Sequence, residues 1–148
     1  MIVLRNFDKG DASNLHKSCF SNLSVEQIEH MIDEWNEKRF NGRYFEIFAI
    51  VRDETIVGTI SLYHHSTQVV SIGPEIFCEY RRKGFATEAM IQACNMAKEK
   101  GYKIVSQQIR TDNSASIALH SSLGFETNGS IYTNAKGNQV SIYLKSLV

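Results

Sequence analysis

The chain has 148 residues, 43% of them hydrophobic and 22% charged, which fits one compact globular domain and excludes a disordered or low-complexity polymer. Sixteen Lys and Arg balance sixteen Asp and Glu for a formal net charge of zero, so bulk charge recruits neither nucleic acid nor a membrane surface. Three cysteines at unrelated spacings, Cys19, Cys78 and Cys94, read as free thiols of a reducing compartment rather than a disulfide or zinc framework.

The N-terminal Met1-Ile2-Val3-Leu4-Arg5 turns polar at once, unlike a signal peptide, and no apolar run approaches bilayer length, so a cytoplasmic location is expected. Ile2 to Asn6 reads as a strand. Asp11 to Phe20 reads as a helix with Asp11 as its cap. Ser24-Val25-Glu26-Gln27 has the form of a capping box. Behind it Ile28, Met31, Ile32 and Trp35 share a helical face, predicting a helix over about 25–38. Tyr44–Arg52 and Thr55–Tyr63 form a predicted hairpin around Asp53-Glu54. Gln68–Cys78 is a further strand, with a bulge or splay expected at Gly73-Pro74. A helix over about 85–100 ends at Gly101, a strand follows at Lys103–Arg110, and Asn113 caps a short helix that stops at Gly124. Two last strands are expected at Phe125–Tyr132 and Gln139–Leu144, where Val140, Ile142 and Leu144 alternate with Gln139, Ser141 and Tyr143. This order describes a mixed α/β sheet, not a doubly wound one.

The chemistry concentrates in Glu79-Tyr80-Arg81-Arg82-Lys83-Gly84-Phe85-Ala86-Thr87-Glu88-Ala89, where a strand gives way to a basic turn and a small-residue helix. First-turn amides lack intrahelical partners, and the macrodipole adds roughly half a positive charge there. Gly84 and Ala86 leave the backbone approachable, and Arg81, Arg82 and Lys83 add full charges. A diphosphate suits such a nest. On spacing alone, an ordinary turn with solvated basic residues also fits. Lys83 precedes the glycine, so no Walker motif is present, and the triple-glycine dinucleotide fingerprint is absent.

Arg81 to Ala86 resembles the Arg/Gln-x-x-Gly-x-Gly/Ala pyrophosphate loop of the GNAT superfamily of acyl-CoA-dependent N-acetyltransferases. Ile72-Gly73 and Glu79–Ala89 look like the ribosomal-protein-alanine type. Asn113-Ser114-Ala115-Ser116, with Leu123-Gly124-Phe125 after the short helix, is similar to the family's second signature. Ala49-Ile50 and Ile56-Val57-Gly58 resemble the hairpin before the cofactor strand. The resemblance runs from about Tyr44 to the C-terminus.

It implies an α/β (α+β) fold, a mixed, mostly antiparallel sheet of about six or seven strands flanked by about four helices. The fourth and fifth strands, Gln68–Cys78 and Lys103–Arg110, would splay apart. It also implies one acetyltransferase domain over 1–148, with variable substrate-side elements in 1–43 and an acetyl-CoA-binding core in 44–148. Acetyl-CoA would be the cosubstrate, with no metal. Its pantetheine arm would pair with backbone groups of Glu75 and Ile76 like an added strand, and the Ile76 amide would polarise the thioester carbonyl. Amides from Arg82 through Lys83, Gly84, Phe85 and Ala86 to Thr87 would hold the pyrophosphate, with Asn113 on the pantetheine side.

The acceptor would be a primary amine, on a small molecule or a protein N-terminus, attacking the thioester directly after losing a proton. Where many relatives carry a glutamate on the fifth strand and a tyrosine before Leu-Gly-Phe, this chain has Gln108 and His120. Glu75 is then the candidate base, or a strand-surface residue. His120 is the candidate acid, or a donor to a backbone carbonyl. His64, His65, Tyr63 and Tyr132 could line the acceptor pocket or serve as turn and packing residues, and no third ligand at metal spacing accompanies the histidines. An O-acyltransferase and a non-catalytic acyl-CoA-binding sensor are the rival readings. A homodimer is expected by analogy with the fold, with neither nucleic acid nor membrane as a partner.

Overall fold

A computed structural model describes residues 1–148. In chain order it contains β1 (Val3–Arg5), α1 (Ala12–Ser18), α2 (Val25–Trp35), β2 (Arg39–Phe40), β3 (Arg43–Arg52), β4 (Thr55–His64) and β5 (Val69–Ile76). There follow α3 (Phe85–Glu99), β6 (Ile104–Arg110), α4 (Ser114–Ser122), β7 (Tyr132–Thr133) and β8 (Gln139–Ser146). The strands lie in the order β1-β3-β4-β5-β6-β8-β7, with β2 paired to β3. Every pairing is antiparallel except β5 with β6, which are joined only at Val69–Ile104 and Val70–Val105. The mixed, mostly antiparallel sheet with four helices is the architecture the family resemblance implies. Counting β2, its splayed pair is β5 and β6. No helix is long and apolar enough to cross a membrane.

Local chemistry sets most boundaries. The Ser24 hydroxyl accepts from the Gln27 amide at 3.1 Å and the Gln27 side chain accepts from the Ser24 amide at 2.8 Å, closing the expected capping box. The helix stops at Trp35 rather than Lys38, because Lys38 takes a left-handed φ of 58°. The chain then folds back through Asn41-Gly42 (φ 53° and 74°) to form the small β2–β3 ribbon. Both central residues of the β3–β4 turn, Asp53 and Glu54, have positive φ, the mirror-image turn that matches strand twist.

Further expectations are corrected. Asp11 does not cap α1. Its carboxylate receives the Arg5 guanidinium at 2.9 Å on both oxygens and the Asp8 amide, while Asp8 caps the preceding 3₁₀ turn. Burial would raise the Asp11 pKa, but the Arg5 and Asp8 bonds outweigh it and hold the carboxyl below its usual range. The segment 125–132 is no continuous strand. Only Glu126 bridges Leu144, and Tyr132–Thr133 pair with Val140 and Gln139.

The sheet is covered unequally. On one face α3 supplies Ala89, Met90, Ala93 and Ala97 against Ile50, Ile60, Val70, Ile72 and Val105. On the other, α1 and α2 place Leu15, Ile28 and Ile32 against Ala49 and Phe77. Period-2 burial in β8 departs from its apolar pattern. Ser141 and Tyr143 are buried whereas Leu144 is 48% exposed, because beyond α1 and α2 no element covers that end of the sheet.

Candidate active site

At the C-terminal end of β5 the chain turns through Cys78–Tyr80 and the basic loop into α3. Arg82 (φ 65°) and Gly84 (φ 82°) are both left-handed, and this alternation turns successive amides toward one side. α2 and α4 begin on side-chain caps, from Ser24 and Asn113, but Gly84 offers none to α3. The first-turn amides of α3 are therefore free to meet an anion. A Cβ built at Gly84 would touch nothing within 4 Å, so the space above it is open.

The second wall is β5. The Phe77 amide donates to the Val57 carbonyl of β4 at 2.9 Å. By contrast, both main-chain groups of Ile72 are taken from the β6 side, by the Gln107 side chain. Backbone direction alternates along a strand, so Ser71, Gly73 and Glu75 point their main chain at β4, and Pro74 and Ile76 point theirs into the gap. The Ile76 carbonyl accepts from Arg81 Nε at 2.9 Å. That leaves the Pro74 carbonyl and the Ile76 amide open. Pro74, not Glu75, shares the open edge with Ile76, and its missing N–H falls where no ladder bond is required.

A cleft of about 690 Å³ joins these features. It is lined by Glu75 and Ile76 from β5, by Arg81, Arg82, Gly84, Phe85, Ala86 and Thr87 from the corner, and by Asn113 from the start of α4. Lys83 is exposed and does not line it. Asn113 Oδ1 is committed to the Ser116 amide at 3.1 Å, so only its NH₂ group is free to turn to a ligand. The side chain of Glu75 shares a sheet face with Phe77, which packs among α1 and α2, and it is exposed at the cleft mouth.

His120 is elsewhere. It is 3% exposed, packs its ring edge-on to Phe125 at 4.8 Å, and does not line the cleft. Nδ1 lies 2.8 Å from the Ser116 carbonyl, so it carries the proton, and Nε2 accepts from Gln107 Nε2 at 3.2 Å. Neither nitrogen is free to protonate a leaving thiolate. Burial lowers its pKa below the ordinary value, against the opposing pull of the Ser116 bond. A histidine buried neutral binds fewer protons than the unfolded chain below about pH 6.5, so it withdraws stability as pH falls. The unfolding free energy is therefore expected to drop between about pH 6.5 and 5.5, before carboxylates titrate, by at most about 1.4 kcal/mol per pH unit for each such histidine. Denaturant titrations across that range check it, and a flat profile would contradict the neutral assignment.

His64 bonds Tyr102 through Nδ1 at 2.8 Å, and His65 Nε2 meets Ser71 Oγ at 2.6 Å. Neither histidine lines the cleft. Tyr132 lines a larger groove of about 970 Å³ over β6 and β8, with no helix start among its lining residues. No three His, Cys, Asp or Glu side chains gather as a metal site. The sequence reading missed Pro74, Tyr80, Ala115, Ser116 and Leu119, which also line the cleft. Spacing along α4 from Asn113 could have flagged Ser116 and Leu119, three and six residues on.

The family model described as an acetyltransferase (GNAT) domain matches residues 2–126. The match begins well before Tyr44, where the sequence resemblance began. An SPbeta prophage-derived, uncharacterized N-acetyltransferase of Bacillus subtilis, YokL, is 31% identical over 101 residues. That stretch is 66% of this chain and 57% of the relative, so little more than half of YokL is represented. Among solved structures, RimL, a ribosomal L7/L12 alpha-N-protein acetyltransferase in complex with coenzyme A, superposes with a TM-score of 0.83 at 16% identity. The match covers 98% of this chain and 93% of that one. The microcin C7 self-immunity acetyltransferase MccE, in complex with acetyl-CoA and AMP, gives 0.77 at 21%, covering 98% and 92%.

Proposed function

The chain belongs to the GNAT acetyltransferase family, and from that premise we propose that it transfers an acetyl group from acetyl-CoA to a primary amine, on a small molecule or a protein N-terminus. One observation carries the reading. The free amides at the start of α3 and the two open backbone groups of β5 border one cleft. A diphosphate and an extended amide-bearing arm need those two features side by side. Bound acetyl-CoA supplies an activated thioester.

The residues divide the remaining work. Amides from Arg82 to Thr87 hold the diphosphate, with Arg81 and Arg82 adding charge. Lys83, outside the cleft, contributes at most to the field around its mouth. The Pro74 carbonyl and the Ile76 amide receive the arm, and the Ile76 N–H polarises the carbonyl of the acyl group. Glu75, at the mouth on the face of α1 and α2, accepts the proton an ammonium must lose, directly or through water. Asn113 caps α4 and faces the arm with its NH₂. The domain spans 1–148, and two copies pair as a homodimer.

The burial of His120 and the presence of Gln108 favour one rival, a non-catalytic sensor that binds acyl-CoA without turning it over. Thiol release from acetyl-CoA across a panel of amines, paired with calorimetric titration of CoA, separates the two. Amine-dependent release is expected. Binding without release for any amine would favour the sensor, and no binding would remove both readings.

A further inference from the structure

We infer that Gln107 is the positioning residue that sets the open edge of β5, by replacing a strand ladder with its own side-chain amide. The inference rests on the proposal that this edge receives the arm of acetyl-CoA.

The register shows what Gln107 replaces. β5 and β6 pair in parallel at Val69–Ile104 and Val70–Val105, and continuing that register would set Ile72 opposite Gln107. The backbones have parted there. Instead, Gln107 Oε1 accepts from the Ile72 amide at 2.8 Å, and Gln107 Nε2 donates to the Ile72 carbonyl. One side-chain amide thus satisfies both main-chain groups of a residue that is 3% exposed, the two bonds that the main chain on either side of Gln107 would make in a continued parallel ladder. The strands stay one side chain further apart than a ladder allows. Two and four residues on, Pro74 and Ile76 face the gap with no partner strand.

The amide cannot turn over without losing bonds. Only Oε1 can accept from an N–H, and the second Nε2 proton goes to His120 Nε2 at 3.2 Å. His120 in turn holds the Ser116 carbonyl in α4. The chain of bonds from Ile72 to Ser116 therefore links the cleft's strand wall to its helix wall. Gln107 is 6% exposed and touches no ligand space, so it acts through β5.

The test uses the full chain and coenzyme A as probe. In Gln107→Leu, Ile72 loses both partners. Its amide is expected to exchange with solvent at least about tenfold faster, and CoA affinity to fall by about tenfold or more. Gln107→Glu gives the discriminating readout. As a carboxylate it repels the Ile72 carbonyl, whereas as a neutral acid it can accept from the amide and donate to the carbonyl together. Its CoA affinity, divided by that of the wild type at each pH, is expected to recover as pH falls from 8 to 5.5. A constant ratio would overturn the inference, as would Gln107→Leu binding CoA within twofold of the wild type. Should Gln107→Leu not fold, the Gln107→Glu profile decides. Should the wild type bind no CoA, the cofactor reading fails, and exchange at the Ile72 amide decides for Gln107 alone, with unchanged protection counting against it.

Discussion

Replacing Gly58 with alanine is expected to deform the cofactor strand and to lower CoA affinity by about tenfold or more, at a stability cost of about 3 kcal/mol. A Cβ at this position would overlap the Glu75 carbonyl oxygen and lie 3.0 Å from Ile76 Cα and 3.2 Å from the Glu75 carbonyl carbon. All three contacts are backbone, so no side chain can swing aside. The strand itself must move, and Glu75–Ile76 is the stretch that borders the cleft. Gly58 pairs with Ile76 beside the irregularity at Val57, where Ile50 faces Gly58 and Val51 faces Ile56. Denaturant unfolding and calorimetry measure the two effects. An alanine variant with wild-type stability and affinity would mean that β5 yields at no cost, which a closely packed interior does not allow.

The second large effect is expected at Gly84. An added Cβ there meets no protein atom within 4 Å, so the first carbon of a side chain is not crowded. A β-branched residue at a φ of 82° is strained by about 1–2 kcal/mol, and its methyl groups would stand over the free amides of α3. CoA affinity is expected to fall about a hundredfold, equivalent to ~2.7 kcal/mol. Gly101 is a matched control. It lies just beyond the far end of α3 with φ 96°, and its added Cβ would also meet nothing within 4 Å. Gly101→Val should show a similar stability loss with unchanged affinity. Equal affinity in the two variants would remove the phosphate nest.

Much of this architecture was legible because short-range chemistry wrote it. The Ser24 box, the Asn113 cap, the turn at Asp53-Glu54 and the glycine ending α3 are each decided within a few residues. The basic corner was legible for the same reason, since a glycine before a small-residue helix is a local signal. What escaped depends on distant partners. His120 looked available because nothing nearby in sequence shows Gln107 reaching its ring. Asp11 looked like a cap because its partner, Arg5, sits on the preceding strand. The main chain at Glu75 and at Ile76 looked equivalent, since which of them faces the gap is fixed only when β4 claims one edge. Leu144 followed the apolar alternation of a core strand, yet no element covers its face. The β2–β3 ribbon escaped because two-residue strands leave no periodicity to read.

The two-residue contact between β5 and β6 carries a mechanical consequence. β1, β3, β4 and β5 form one antiparallel ribbon and β6, β8 and β7 another, so the sheet has a seam crossed by very little backbone. Strain applied across the molecule would concentrate there, and transient opening should begin there before either ribbon frays. A ligand lying along the seam acts as a suture between the two halves. It would raise the melting temperature in proportion to the logarithm of its free concentration once saturating, and would do so by tightening the junction rather than either half.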